Sequence, residues 1–474
     1  MTVSKNNVPA DVLLSGQKGR DAVKTDRSIG SARSASLYRH PLVARISGFL
    51  VSLEALADPV ARRKVRWTPL AAGLAAVLMT LDPGCPLGVR CEDALACMGT
   101  DFIRRRRVGR TYNGLVKALQ RQAPFILPVL KADLRRQARA RLDRIPRTGG
   151  WTLLAVDGSK EDLPRTRDHE REFGIADNGK SPQAFVTAIV EVQTGLPWDW
   201  RIDRGCAGEK GHLIQMAPDL PADALLLGDG NFVGYRVWAK LHESGKHFLI
   251  RVGGNVSLLT KLWPDAAWQR DRELVYAWPK KHQDHVAPLE LRLIKVGRGQ
   301  KAVFLLTNVL DPCRLAKPMA GAIYRLRWGV ELFYRTLKRT LGYAKLRSKA
   351  GRRARIELEW GLITMTLMAM MGIDALRRRR RDPRRLSPAP LIRSLRASLL
   401  RGSNARPHQA KAMLSRALAA SVKDHYQRHA PKRSRYRPVT RITPSPLVLK
   451  PPRVRPATTQ ERKLARKYRQ TIAA

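Results

Sequence analysis

Apolar residues recur at helical spacing from about residue 41 to 145, give way to short apolar runs, and return to helical spacing after Pro318. In the first region Ile46–Ala57 and Leu70–Leu81 carry the helical period, and Asp82-Pro-Gly-Cys-Pro stops the second run. Glu92–Met98, the connector Arg104-Arg-Arg-Arg-Val-Gly-Arg110 and Tyr112–Gln122 predict helix, basic turn, helix. That trio reads either as a groove-reading module or as a bundle with a solvated basic edge. Leu130–Leu142 predicts a separate Arg-rich helix, ended by Ile145-Pro-Arg-Thr-Gly-Gly150.

The texture then becomes strand-like. Thr152-Leu-Leu-Ala-Val156 ends in Asp157-Gly-Ser, and Ala184–Gln193 and Trp198–Ile202 flank Thr194-Gly-Leu-Pro as a strand pair joined by a turn. A helix at Lys210–Met216 precedes Asp223-Ala-Leu-Leu-Leu227, which ends in Gly228-Asp229-Gly-Asn-Phe. A helix over Tyr235–Ser244 and a strand over His247–Val252 follow. Residues 253–309 are strand-prone, with Trp263, Trp268 and Trp278 and runs at Leu289–Lys295 and Ala302–Thr307. Arg352–Leu376 predicts a long helix whose methionines are core. The run Arg377–Arg385 marks the end of the packed region, followed by a basic, Pro-containing tail with a weak helix at about 408–429.

One stretch, 322–341, sorts into two faces as a helix. Ile323, Leu326, Val330, Phe333, Leu337 and Leu341 form an apolar stripe. Tyr324, Arg327, Glu331 and Lys338 fall within roughly 60° of one another on the other side, over about 20 Å of helix. A carboxylate among two cations and a phenol suits a site where the acid meets a metal and its neighbours meet phosphates. A solvated ion pair between Glu331 and Arg335 at i+4 accounts for the same pattern.

Charge narrows the choice of partner. The chain has 89 Lys+Arg against 39 Asp+Glu, a formal net charge of +50 over 474 residues. Such an excess favours salt-sensitive phosphate contacts, with nucleic acid ahead of an anionic membrane. The apolar runs Leu70–Leu81 and Leu362–Ile373 are short for a membrane span, and the first residues, Met1-Thr-Val-Ser-Lys-Asn-Asn, lack the apolar stretch of a secretory signal. Five cysteines without a CxxC pair argue against structural zinc or a disulfide framework and fit a reducing cytoplasm. His282, Asp284 and His285 read as a polar turn.

Asp157 and Asp229 each follow an apolar run, where a carboxylate is held at the rim of a sheet. Asp-Gly at either place is also an ordinary turn. Glu161, Asp162, Asp203 and Asp223 are weaker candidates: the first two read as loop, the third as a charged turn, and the fourth precedes its strand.

The spacing Tyr-(2)-Arg-(3)-Glu-(6)-Lys over Tyr324, Arg327, Glu331 and Lys338 resembles the Y-R-E-K signature of bacterial insertion-sequence transposases of the DDE class. Asp229-Gly-Asn-Phe232 resembles the D-x-x-F around that family's second aspartate, and the resemblance covers about 150–345. It implies Asp157, Asp229 and Glu331 as catalytic and metal-binding acids, with magnesium, or manganese in its place, as cofactor. It implies Tyr324, Arg327 and Lys338 as contacts to DNA phosphates; an insertion tryptophan is a candidate platform for a flipped base, with a core role the favoured reading for any one of Trp263, Trp268 and Trp278. The implied partners are double-stranded transposon ends and target DNA, bound by a homodimer, with no membrane, in the bacterial cytoplasm at the nucleoid.

The expected fold class is α/β: a ribonuclease-H-like catalytic domain over 148–376 with a β-rich insertion at about 253–309. A flexible arm over 1–40 and a helical DNA-binding domain over 41–147 precede it, and a basic region over 377–474 follows. The expected activity is metal-dependent cleavage at transposon ends with strand transfer. A nuclease or resolvase that cuts without joining, and an inactive DNA-binding derivative, are the alternatives.

Overall fold

A computed structural model describes residues 38–56, 66–175, 181–263, 273–279, 281, 283, 285–299, 302–344, 346–402, 405–420, 422 and 450–473. The expected arm falls almost wholly outside these residues, as do Trp268, His282 and Asp284.

Among the described residues, five α-helices come first: α1 (Pro41–Phe49), α2 (Pro69–Leu81), α3 (Leu87–Met98), α4 (Thr100–Arg105) and α5 (Tyr112–Leu142). Thr68 caps α2 by accepting from the Ala71 N–H, Pro69 fixes its first turn, and all thirteen of its residues are buried. The two helices expected at Tyr112–Gln122 and Leu130–Leu142 are one, the 31-residue α5 with Pro124 and Pro128 inside it. Ile126, Leu130 and Leu134 are buried along this segment, so tertiary packing outweighs the missing N–H groups.

The sheet then begins with β1 (Thr152–Asp162), α6 (Arg167–Phe173), β2 (Gln183–Glu191), β3 (Leu196–Arg204) and α7 (Glu209–Met216). Next come β4 (Ala224–Gly228), α8 (Tyr235–Glu243), β5 (His247–Val252), β6 (Ser257–Thr260), β7 (Leu274–Ala277), β8 (Leu289–Val296) and β9 (Val303–Thr307). β1 extends well beyond the expected Thr152–Val156. Gly158 pairs with Thr187 and Glu161 with Ala184, so Asp157 does not end a strand in a turn, and Glu161 is not in a loop.

With β10 (Arg453–Pro456), the strands form one mixed sheet in the order β10-β6-β7-β8-β9-β5-β4-β1-β2-β3. β1 runs antiparallel to β2 and parallel to β4, β2 antiparallel to β3, and β4 parallel to β5. The segment 253–309 is therefore no separate layer: β6 to β9 continue the same sheet beyond β5.

After the sheet, α9 (Lys317–Arg325) leads through a 3₁₀ turn (Leu326–Trp328) into α10 (Gly329–Arg335) and a π turn (Thr336–Thr340). The expected straight helix over 322–341 is thus broken twice. Ile323, Val330, Phe333, Leu337 and Leu341 still reach the core, whereas Leu326 at the 3₁₀ turn is only half-buried. Helix α11 (Gly351–Arg378) is long and apolar enough by composition to cross a membrane, yet 83% of its apolar window is buried inside the protein. It packs on α2, α5 and β3, joining the helical and sheet regions in one continuous core.

Packing does not end at Arg377–Arg385. α12 (Pro388–Gly402) buries Leu391, Ile392 and Leu395, and α13 (Pro407–Ala419) buries Ala410 and Leu414. Both carry apolar faces that Arg-rich composition masks. Beyond residues outside the description, β10 pairs with β6 in parallel, and α14 (Thr459–Ala473) adds Ala465 to a small second core with Leu259, Leu262, Tyr276 and Trp278.

Candidate functional site

Two carboxylates owe their positions to strand register. β1 and β4 are parallel neighbours in which Leu153 pairs with Leu225 and Ala155 with Leu227. Asp157 and Asp229 each lie two residues beyond the last of these pairs, side by side at the same edge of the sheet. Fully buried leucines on both strands fix the register, since a one-residue slip would turn the apolar set outward. The Asp157 Oδ1 accepts the Gly158 N–H at 2.9 Å. Asp229 caps a 3₁₀ turn over Gly230–Phe232 by accepting the Asn231 N–H at 2.9 Å, and buried Phe232 anchors that turn.

Glu331 comes from α10, which packs across β1 and β2. Tyr334, one turn further on, fastens this helix to the sheet. Its buried hydroxyl accepts the Ala188 N–H at 3.1 Å and donates toward the carbonyls of Asp157 at 2.8 Å and Val186 at 2.9 Å. Gly329 allows the close approach: a Cβ there would stand 2.6 Å from the Val192 carbonyl oxygen. Glu331 and Asp157 are therefore held by one tyrosine and one stretch of sheet.

Both other acids act on Asp157. Burial, joined by the charges of Asp229 and Glu331, pushes the Asp157 carboxyl up to about 6 against the pull of the Gly158 N–H and Arg327. Glu331 pairs with Arg327 at 2.8 Å, so its cation partner is the residue four positions before it, not Arg335. A fourth acid that sequence reasoning missed stands here too: Glu209, first residue of α7, is pushed up to about 7 by burial and by Asp157 and Asp229. No local pattern marks it, because its neighbours are distant in sequence.

Tyr324 and Lys338 are partly engaged by the protein itself. The Tyr324 hydroxyl donates to the Gly228 carbonyl at 3.3 Å, beside Asp229, and burial pushes it up to about 12. Lys338 lies in the π turn, a distortion common at functional sites. Its Nζ donates to the Lys160 carbonyl at 3.0 Å and pairs with Glu161 at 3.3 Å. Glu161 is 1% exposed, and burial pushes it up to about 7 despite Lys338.

Two of the insertion tryptophans take the core role expected of them. Trp278 is buried and donates its indole N–H to the Val286 carbonyl, and Trp263 packs on the same small core. Trp328, in the 3₁₀ turn three residues before Glu331, is 53% exposed, with exposed Leu332 one turn on.

Asp157, Asp229 and Glu331 offer hard oxygen donors whose mutual repulsion a divalent cation would relieve, which fits magnesium or manganese. Among the described residues, the group of three donors whose ligand atoms all lie within 4.8 Å is a different one: Asp82, Cys85 and Asp93. That group includes a thiol raised by its hydrogen bond to Asp82 and has no buried counterpart of Asp157. The trio is more widely set, with one Glu331 oxygen turned to Arg327. A site for two ions about 4 Å apart needs that wider spacing.

Comparison with known proteins gives the same segment. Residues 149–368 match the family described as Transposase DDE domain. Over 231 residues the chain is 34% identical to the transposase InsG for insertion sequence element IS4 of Escherichia coli strain K12, covering 46% of this chain and 51% of that one. The chain thus spans about half the length of the curated relative it matches. A cryo-EM structure of a piggyBac transposase synaptic complex with hairpin DNA aligns over 85% of this chain and 87% of that one, at TM-score 0.39 and 11% identity. That likeness is too weak to argue from. Over residues 149–368, the chain is thus similar to the transposase DDE domain family.

Proposed function

We propose that this protein is a DNA transposase that cleaves the ends of its own element and joins them to target DNA. The observation that carries the reading is the register match of Asp157 and Asp229 on adjacent parallel strands, with Glu331 fastened beside them through Tyr334. The strand order β3-β2-β1-β4-β5, with β2 alone reversed, supports a ribonuclease-H-like core extended by the strands of 253–309. In this reading the helices of 41–147 and the basic residues of 377–474 serve DNA binding, and two copies assemble on paired ends.

Asp157, Asp229 and Glu331 would hold magnesium or manganese. When bound, such ions activate the attacking oxygen and stabilise the leaving oxygen of the phosphodiester. Arg327 holds Glu331 before DNA arrives and is placed to exchange that partner for a phosphate oxygen. Tyr324 sets the Gly228–Asp229 strand end from the side of α9, and Lys338 brings a point charge to the edge of β1. The net charge of +50 draws DNA to this surface and makes binding steeply dependent on salt.

The test is a plasmid carrying the element's inverted ends, incubated with full-length protein with and without magnesium. Excision with insertion into a second plasmid is expected, and Asp157→Asn, Asp229→Asn and Glu331→Gln each abolish it while binding persists. Cutting without joining would make the protein a nuclease, and binding alone would make it an inactive derivative.

A further inference from the structure

Gly158 follows a proposed catalytic aspartate, and its sequence setting suggests a turn. The backbone contradicts that: Gly158 lies inside β1, paired with Thr187, and is absent from the glycines of positive φ. Its conformation is open to any residue, so space is what restricts the position. A Cβ at 158 would collide with the Glu209 carboxylate, reaching 2.8 Å from its Cδ, and with the Phe185 ring at 2.6 Å from Cζ. The missing side chain leaves a slot beside Asp157, and the head of Glu209 fills it.

Glu209 is held there by its helix. One turn along α7, buried His212 bonds through Nδ1 to the Thr187 hydroxyl at 2.8 Å, and its Nε2 meets Asp203 at 3.3 Å. Thr187 is the residue paired with Gly158. Buried Leu213 and Met216 fix the rest of α7 to the sheet. The charged groups acting on Glu209 are Asp157 and Asp229, which oppose its ionisation, and Lys160 and Lys210, which favour it.

A carboxylate held within the field of two others is unfavourable unless a cation joins them. Arg327 occupies one of the Glu331 oxygens, so a further carboxylate adds a donor that the trio does not supply. We propose that Glu209 is a fourth carboxylate ligand of the divalent-cation site, for which Gly158 keeps room. This rests on reading Asp157, Asp229 and Glu331 as a metal site.

The test is Mn²⁺ binding to the full-length protein without DNA, followed by the electron paramagnetic resonance signal of free Mn²⁺ up to millimolar concentration. The wild type should hold two ions. Glu209→Gln should weaken one of them by roughly 10–100-fold, the range seen when metal-site partners are lost. Glu209→Asp keeps the charge but shortens its reach, and Gly158→Ala keeps the carboxylate but displaces it; both should weaken the same ion. The metal-free melting temperature of Glu209→Gln should equal or exceed that of the wild type, since a repulsive charge is removed. Wild-type binding by Glu209→Gln would overturn the proposal. So would weakening confined to Glu209→Gln, with Glu209→Asp and Gly158→Ala unchanged, because the charge would then act only through space. If Asp157→Asn instead leaves both ions bound, the underlying metal site is itself wrong, and the proposal falls with it.

Discussion

Asp157 and Asp229 occupy equivalent positions on adjacent parallel strands, each two residues past the paired Ala155 and Leu227. Neighbouring strands lie about 4.8 Å apart, so the two carboxylates necessarily repel one another. Burial adds to that repulsion and holds Asp157 at about 6.

This sets the pH dependence of stability. A carboxyl raised in the folded state binds more protons there than in the unfolded chain, so stability falls as pH rises from about 4 through about 6. Asp157→Asn removes that loss. Its metal-free melting temperature should exceed the wild type's at pH 7.5, and the gap should close toward pH 4. Magnesium should narrow the gap at pH 7.5 by binding only the wild type. A gap independent of pH would show that Asp157 carries no raised pKa.

Tyr334→Phe keeps the ring and deletes the hydroxyl that ties α10 to β1 and β2. The buried Ala188 N–H loses its acceptor, at a cost of about 1–3 kcal/mol. Denaturant unfolding should register that loss, and cleavage should fall further than stability explains, because Glu331 rides on the same helix. An unchanged cleavage rate would mean that Glu331 is placed by other contacts.

Lys338→Ala should do two separable things. It leaves Glu161 buried without its cation, lowering stability by about 1–3 kcal/mol, and it flattens the salt dependence of end binding. Adding Glu161→Gln should restore the melting temperature but not the binding. Recovery of both would show that Lys338 serves only the fold.

Trp328→Ala removes an exposed ring beside Glu331, so stability should change by no more than about 0.5 kcal/mol. Affinity for the cleaved end should drop by about 1–3 kcal/mol if the ring stacks on a base. Fluorescence anisotropy with an end oligonucleotide measures this, and unchanged affinity would remove Trp328 from the interface.

The acids of the proposed site can be picked out in the chain because their signals are local. Asp157 and Asp229 stand out as acids beyond apolar runs, and the gaps from Tyr324 to Lys338 single out Glu331. What could not be read depends on distant partners. Glu209 becomes a neighbour of Asp157 only when α7 folds over Gly158, and the side chain that Gly158 lacks reads from sequence as a turn. Pro124 and Pro128 suggest a helix boundary, but buried residues on both sides keep α5 whole. The stretch 322–341 reads as one straight helix because a 3₁₀ turn and a π turn leave the apolar stripe nearly intact. In the Arg-rich C-terminal region, Leu391, Leu395 and Leu414 find a core that composition alone does not reveal.

The proposed convergence of Asp157, Asp229 and Glu331 on a divalent cation is tested most directly by replacing magnesium with Fe²⁺ and generating hydroxyl radicals in place. Backbone cuts should cluster at the end of the β4 strand, around Asp157 in β1 and at the start of α10, and excess magnesium should suppress all three. Cuts at only one of these places, or cuts that magnesium does not suppress, would contradict a shared metal site.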